Sequence, residues 1–118
     1  MSVSKTNLFD EELRKRANLF KALSHPARLQ ILRDMARTRT CLTGDISVMF
    51  PLARTTVNQH MKELKEAGLI LDHFEGAKIV YCLDIEKVKE MEKILNGFLS
   101  EIHLPADFRC SLTPLSIS

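Results

Sequence analysis

Residues 53–70, ARTTVNQHMKELKEAGLI, constrain the fold more than any other stretch of the chain. Val57, Met61 and Leu64 recur at helical spacing and predict an amphipathic helix with one buried face, which Gly68 ends. The opposite face is rich in arginine, threonine, asparagine and glutamine, whereas a helix face that only meets solvent usually carries more glutamate and lysine. The sequence therefore predicts a helix that is packed on one side and holds out hydrogen-bonding side chains on the other.

A second, shorter helix is predicted directly before this one. Ile46, Met49 and Phe50 indicate a short helix, and Pro51 stops it. Two helices joined by a turn of about three or four residues form a helix-turn-helix, whose second helix enters the major groove of DNA. The predicted DNA-contacting residues of that helix are Arg54, Thr55, Thr56, Asn58, Gln59, His60, Lys62 and Lys65.

These side chains have the chemistry that reads bases. Arginine bonds guanine through two hydrogen bonds, asparagine and glutamine do so with adenine, and threonine offers both a hydroxyl and a methyl group. Lys62 and Lys65 are better placed to meet phosphates. The alternative is a polar helix face without a ligand, and the choice of residue types favours DNA.

The stretch that follows predicts a β-hairpin. LILDHFEGAKIVYCLD, residues 69–84, alternates around a turn at Glu75 and Gly76. A hairpin behind a recognition helix is a wing, so His73 and Lys78 near its tip are candidates for contact with the DNA backbone or minor groove. For His73, an exposed strand position without a ligand is an equal alternative.

Three further helices are predicted outside the helix-turn-helix and the wing. The first has an apolar face formed by Leu13, Ala17, Phe20 and Leu23. Pro26 starts the second, whose inner stripe is expected to be Leu29, Leu32, Met35 and Ala36, and a last helix of roughly 17 residues follows the wing. The last helix holds more apolar surface than one small domain needs, so together with the first helix it is expected to form a homodimer interface and not an intramolecular core. The predicted dimer contacts are Leu13, Phe20, Val88, Met91, Leu95, Phe98 and Ile102.

Length and charge agree with this interpretation. The 118 residues predict one domain, residues 1–104, and a flexible tail, residues 105–118. The fold class is mainly α with a small β-hairpin wing. Residues 14–65 contain eleven lysines or arginines against three acids, a net charge of +8 that suits a polyanion. With no long apolar run and no visible secretory signal, we expect a cytoplasmic protein without a membrane partner.

Three segments together resemble the ArsR/SmtB family of bacterial winged-helix repressors: LFKALSHPARLQILRDM, TTVNQHMKELKEAGLI and EGAKIVYCL. The resemblance covers about residues 13–84. It implies homodimers that bind double-stranded operator DNA and often release it on binding a metal or metalloid. The family's recognition positions carry over to Thr55, Thr56, Asn58, Gln59 and His60. The chain departs from the family at Ala53, where a serine often caps this helix.

The family's metal sites are incomplete in this chain. Arsenic and soft-metal sensors carry Cys-x-Cys at the start of the third helix, but here Cys41 is followed by Thr43 in the second position. Zinc sensors use Asp-x-His and His-x-x-Glu on the last helix, whereas this chain has Asp84-Ile85-Glu86 and a lone His103. We therefore expect no metal at either familiar site.

The three cysteines leave the signal open. Their odd number and wide spacing argue against a disulfide framework, and we expect Cys41 and Cys82 to act as small apolar residues. In one alternative, Cys41 joins Cys82 or Cys110, within a chain or across the dimer, to bind arsenite or another soft metal ion or to respond to oxidation. In the other, the regulator responds only to its own abundance.

Other functional classes have less support. The sequence has no glycine-rich phosphate loop and no nucleophile motif, and its four histidines are scattered, so an enzyme is not expected. The serious rival is a winged helix that binds protein instead of DNA, because this fold also serves in assemblies without nucleic acid. The basic block and the recognition-helix chemistry favour DNA.

Overall fold

The computed structural model describes residues 8–44 and 46–110, and the last eight residues of the predicted tail lie outside the described part. Four α-helices and a three-stranded antiparallel sheet follow each other along the chain. In order they are α1 (Glu11–Ala22), α2 (Pro26–Thr38), β1 (Leu42–Thr43), a 3-10 helix (Ile46–Met49), α3 (Arg54–Glu66), β2 (Ile70–Glu75), β3 (Lys78–Leu83) and α4 (Ile85–Glu101). None of the described helices is both long and apolar enough to cross a membrane. The predicted winged helix-turn-helix is confirmed.

Side chains cap three of the four α-helices. The Asp10 carboxylate accepts a hydrogen bond from the Glu12 amide of α1 at 2.8 Å, and Asp84 caps α4 in the same way. The ring Nδ1 of His25 accepts from the Ala27 amide at 3.0 Å, directly before Pro26 in the first position of α2. At α3, Ala53 supplies no side-chain cap, as expected where the family often has serine. The start of the recognition helix therefore depends on its packing and not on a cap.

The wing forms as predicted, with one further strand. In the hairpin Ile70 lies opposite Leu83 and Glu75 opposite Lys78, joined by a two-residue turn that begins at Gly76, whose φ is +63°. β1, for which the sequence predicts no strand, pairs antiparallel with β3. A strand of two residues has too few positions to show periodicity, so this pairing was not predicted.

The core lies between α2, α3 and the sheet. Its buried members are Leu19, Ile31, Met35, Ile46, Phe50, Val57, Met61, Leu64, Leu69 and Ile70. Leu64 and Leu69, at the junction of α3 and the wing, are completely buried. Burying a leucine side chain contributes about 1.5–3 kcal/mol, so this junction fixes the wing firmly behind the recognition helix.

The inner stripe predicted for α2 is wrong in part. The buried residues of this helix are Ala27, Ile31 and Met35, while Leu29 is 51% exposed and Ala36 is also exposed. The buried set repeats every fourth residue, and one turn of helix cannot direct Leu29 and Ile31 to the same side. The spacing of apolar residues alone did not show which of these two helix faces is buried.

Arg16 joins the first and last helices. It is buried in α1, and its guanidinium donates to Glu101 of α4 and to Glu12, the latter at 3.0 Å. The guanidinium also lies 5.8 Å from the centre of the Phe98 ring. The hydrogen bond to Glu101 raises the pKa of Arg16, and the same bond lowers the pKa of the Glu101 carboxyl. This contact holds α1 against α4.

Candidate DNA-binding surface

The recognition helix α3 has one buried and one exposed face. Val57, Met61 and Leu64 point into the core, as predicted. The exposed positions on the opposite side are Arg54, Thr55, Thr56, Asn58, Gln59, Lys62 and Lys65. Seven of the eight predicted contact residues of α3 are therefore accessible to a ligand, and the base-reading types cluster in the first two turns.

His60 is the exception, and its prediction as a DNA contact is wrong. Its side chain is buried, and its ring stacks on His25 with 4.1 Å between the ring centres. Among the described residues, neither nitrogen of His60 has a hydrogen-bond partner. Burial and the nearby charges of His25 and Arg28 lower the pKa of His60, which favours the neutral ring. His60 lies three residues after Val57 and four before Leu64, and this helical spacing could have predicted that it lies on the buried face.

Two side chains of α3 already have partners in the protein. The amide of Gln59 donates to Glu63 at 3.2 Å, and the Lys65 ammonium binds Asp72 of the wing at 2.9 Å. Both pairs are at least partly exposed to solvent, so each contributes little to stability and can be exchanged for a ligand. Lys65 connects the end of the recognition helix to β2, which makes it a less available phosphate contact than Lys62.

The wing lies beside the recognition helix, and the two share an open groove of about 340 Å³. Arg54 and Asn58 of α3 line one side, and Phe74 and Lys78 of the wing line the other. His73, also predicted as a contact, is exposed, and its Nε2 lies 3.1 Å from a Glu75 carboxylate oxygen. Of the two predicted wing contacts, Lys78 is the one that lines this groove.

The basic block predicted from residues 14–65 does not form a single face. Arg16 lies between α1 and α4, and Arg28 lies behind α3, 4.0 Å from Glu63. The cations that line the groove are Arg54 and Lys78, and Lys62 is exposed elsewhere on α3. Net charge along the sequence therefore overstated the charge that this surface presents to a polyanion.

The predicted dimer residues lie on α1, on α4 and, for Ile102, directly after α4, and one of them, Met91, packs partly against the core of the protomer. The rings of Phe20 and Phe98 meet edge to face, with centres 5.5 Å apart, and both remain half-buried. Leu13 is 44% exposed and Ile102 is 53% exposed. No residue of α4 is buried against the described part of the protomer. These two helices leave an apolar surface that the protomer alone does not cover.

The cysteines behave differently from the expectation. Cys41 and Cys82 form a disulfide with their Cα atoms 4.5 Å apart, although 41 positions separate them. Cys41 is exposed and Cys82 is half-buried, so the prediction that both act as small apolar residues is wrong. Cys110 is free and exposed. The pairing depends on the unpredicted β1 strand, which brings the two positions together.

The zinc-type positions are used elsewhere or are isolated. Asp84 caps α4 through a 3.1 Å hydrogen bond from the Lys87 amide, and His103 lies exposed after that helix. Across residues 8–44 and 46–110, no three histidine, cysteine, aspartate or glutamate side chains are grouped closely enough to hold a metal ion.

Fold and surface together define a class of protein. A recognition helix with exposed arginine, asparagine and glutamine, followed by a wing that carries an exposed lysine, is the arrangement of a winged helix-turn-helix DNA-binding protein. Comparison with known proteins agrees with this class, because a helix-turn-helix domain family matches residues 23–73.

The relatives identify the family. Over 84 residues the chain is 31% identical to the transcriptional repressor SdpR of Bacillus subtilis, covering 71% of this chain and 92% of that protein. It is 35% identical over 92 residues to the arsenical resistance operon repressor of the same species, covering 77% and 80%. The solved structure of HlyU from Vibrio cholerae superposes with a TM-score of 0.59 at 27% identity, covering 78% and 99%. The chain belongs to the ArsR/SmtB family of winged helix-turn-helix proteins and is a DNA-binding transcriptional regulator, not an enzyme.

Proposed function

We propose that this regulator represses transcription by binding palindromic operator DNA as a homodimer. The observation that carries the proposal is the groove in which Arg54 and Asn58 of the recognition helix face Lys78 of the wing. In such a groove the helix reads base edges while the wing meets the backbone. Repression is favoured because SdpR and the arsenical resistance regulator are both named repressors. A cytoplasmic location is part of this proposal, because a bacterial regulator meets operator DNA there.

The homodimer is supported by the uncovered apolar surface of α1 and α4. α4 has 17 residues and none is buried within the described protomer, although its apolar positions recur along one side. A two-fold dimer covers such a stripe with its own copy and turns two recognition helices toward successive major grooves. Residues with this role include Leu95 and Phe98 of α4 together with Phe20 of α1.

The side chains of α3 divide into two roles. Arg54, Asn58 and Gln59 are placed to bond base edges, whereas Lys62, one turn further along, is placed to meet a phosphate. Losing a base contact costs about 1–3 kcal/mol and relaxes sequence preference, whereas losing a phosphate contact weakens binding to all sequences alike.

Binding of promoter fragments from the protein's own operon tests both points. Fluorescence anisotropy should be measured for the wild type, Arg54→Ala, Gln59→Ala and Lys62→Ala, on the promoter fragment that the wild type binds and on a random duplex of equal length. We expect the first two variants to lose preference for the fragment and Lys62→Ala to weaken both duplexes equally. Equal losses for all three variants contradict the division of roles. Failure of the wild type to bind either duplex favours the protein-interaction module.

We further propose a signal for this regulator, which is that arsenite binds the protein and releases it from operator DNA. When reduced, Cys41 and Cys82 offer two neighbouring thiols, and soft thiolate ligands suit arsenic. The similarity to the arsenical resistance repressor adds support. Arsenite or zinc should be titrated into the reduced protein–operator complex, with Cys41→Ser as the test variant and Cys110→Ser as its control. If arsenite releases the operator DNA from the wild type but not from Cys41→Ser, arsenite is supported as the signal. If neither arsenite nor zinc releases the DNA, a regulator that responds only to its own abundance is favoured.

A further inference from the structure

The register of the sheet, and not a chance contact between loops, makes Cys41 and Cys82 neighbours. β1 pairs antiparallel with β3, with Leu42 opposite Tyr81, and continuing this register by one residue sets Cys41 opposite Cys82. Their Cα atoms are 4.5 Å apart, the spacing of a non-hydrogen-bonded pair, in which side chains approach most closely. Any molecule with β1 in place therefore holds these two sulfur atoms together.

The pair is accessible to small reagents. Cys41 is exposed, and both cysteines line an open cavity of about 390 Å³ whose walls are otherwise mostly apolar. Arg39, an exposed cation, lines the same cavity. Within the described part of the chain, the remaining cysteine, Cys110, is not among the residues around this cavity.

We propose that Cys41 and Cys82 form a reversible dithiol–disulfide site that a hydroperoxide oxidises, and that the disulfide strengthens binding to DNA. Structural disulfides do not persist in reducing compartments, where the disulfides that occur are usually transient and redox-active. A regulator of chromosomal genes works in such a compartment. The link to DNA rests on the function proposed above, whereas the thiol chemistry does not.

The chemistry balances with a hydroperoxide as the oxidant. One thiolate attacks the peroxide oxygen and becomes a sulfenic acid, while the O–O bond breaks and an alcohol or water leaves. The second sulfur then attacks the sulfenic sulfur, which forms the S–S bond and releases water. The two cysteines lose two electrons and two protons in total, and the peroxide gains them. A cellular dithiol returns the pair to the reduced state by thiol–disulfide exchange.

The bond connects two parts of the DNA-binding surface. β1 leads into the 3-10 helix (Ile46–Met49), the first helix of the helix-turn-helix, and β3 carries Lys78 at the wing tip. β1 has only two residues, so its hydrogen bonds alone hold it weakly to β3. The disulfide fixes the helix-turn-helix and the wing together before DNA arrives, which lowers the ordering cost of binding. We expect the oxidised form to bind the operator at least about fivefold more tightly.

The test uses the full chain with Cys110→Ser, which leaves only the two cysteines of the site. The protein is treated with hydrogen peroxide, which catalase then removes, or with dithiothreitol. Free thiols are counted by alkylation and mass spectrometry, and affinity for operator and random duplexes is measured by anisotropy. We expect peroxide to remove both thiols, dithiothreitol to restore them in the folded protein, and affinity to follow the disulfide. Adding Cys41→Ser should abolish the response while circular dichroism shows a folded protein.

Three results overturn the proposal. The first is a pair that peroxide does not oxidise or that dithiothreitol does not reduce without denaturant. The second is equal operator affinity in both states, and the third is weaker binding after oxidation. If neither state prefers the operator over random DNA, the proposed DNA-binding function fails together with the DNA-linked half of this proposal, while the thiol counts still decide whether the redox site exists.

Discussion

The Cys41–Cys82 bond should contribute measurably to stability, because it joins positions 41 residues apart. Closing a loop of this length in the unfolded chain costs conformational entropy worth about 4 kcal/mol, an upper value because native bonds often contribute less. We expect the oxidised protein to exceed the reduced one by about 2–4 kcal/mol in free energy of unfolding. The exposed position of Cys41 makes Cys41→Ser a mild change in packing, so this variant should match the reduced wild type.

Urea denaturation of oxidised wild type, reduced wild type, Cys41→Ser and Cys110→Ser measures this difference. All samples need the same protein concentration, because dimerisation itself adds to apparent stability. Cys110 is free, so Cys110→Ser should unfold like the oxidised wild type. A loss of less than about 0.5 kcal/mol in free energy of unfolding on reduction, or a gain, shows that this bond does not constrain the unfolded chain.

Three further predictions concern other parts of the molecule. Burial lowers the pKa of His60, so the unfolded state binds a proton that the folded state does not, and the free energy of unfolding should fall as pH decreases below about 6.5. His60→Phe should flatten this slope in urea titrations, with His103→Gln as the control, and an unchanged slope contradicts the assignment. Leu95→Glu or Phe98→Asp should give monomers that bind DNA poorly, or unfolded protein, and a folded, active dimer in light scattering shows that the dimer interface lies elsewhere. Lys78→Ala should reduce the slope of log affinity against log salt by about 1, and an intact slope excludes a phosphate contact at the wing.

Local patterns in the sequence predicted most elements well. α4 extends over the expected length because Asp84 caps it and its apolar spacing is regular, and the hairpin turns where Gly76 allows a positive φ. Both signals act between residues close in the sequence. The outward face of α3 also followed from spacing, since Val57 and Leu64 fixed its inner side.

The features that were missed depend on contacts between distant segments. β1 exists only because β3, about forty residues later, provides its hydrogen-bond partners, and the disulfide follows from that register. His60 was assigned to DNA from its polar chemistry, but its place on the helix turns it toward His25 of another segment. Arg16 was counted as part of a basic surface, whereas an acidic partner on α4 draws it between helices.

Hydroxyl-radical footprinting on the operator shows whether a homodimer binds it, because two recognition helices leave a symmetric pattern. We expect two equivalent protected regions related by the centre of a palindrome, with half-sites separated by whole turns of about 10 base pairs. Arg54→Ala should erase both regions together, whereas an exposed control such as Leu29→Ser on α2 should preserve them. A single asymmetric footprint, or protection that does not depend on sequence, contradicts a homodimer that reads operator DNA through α3.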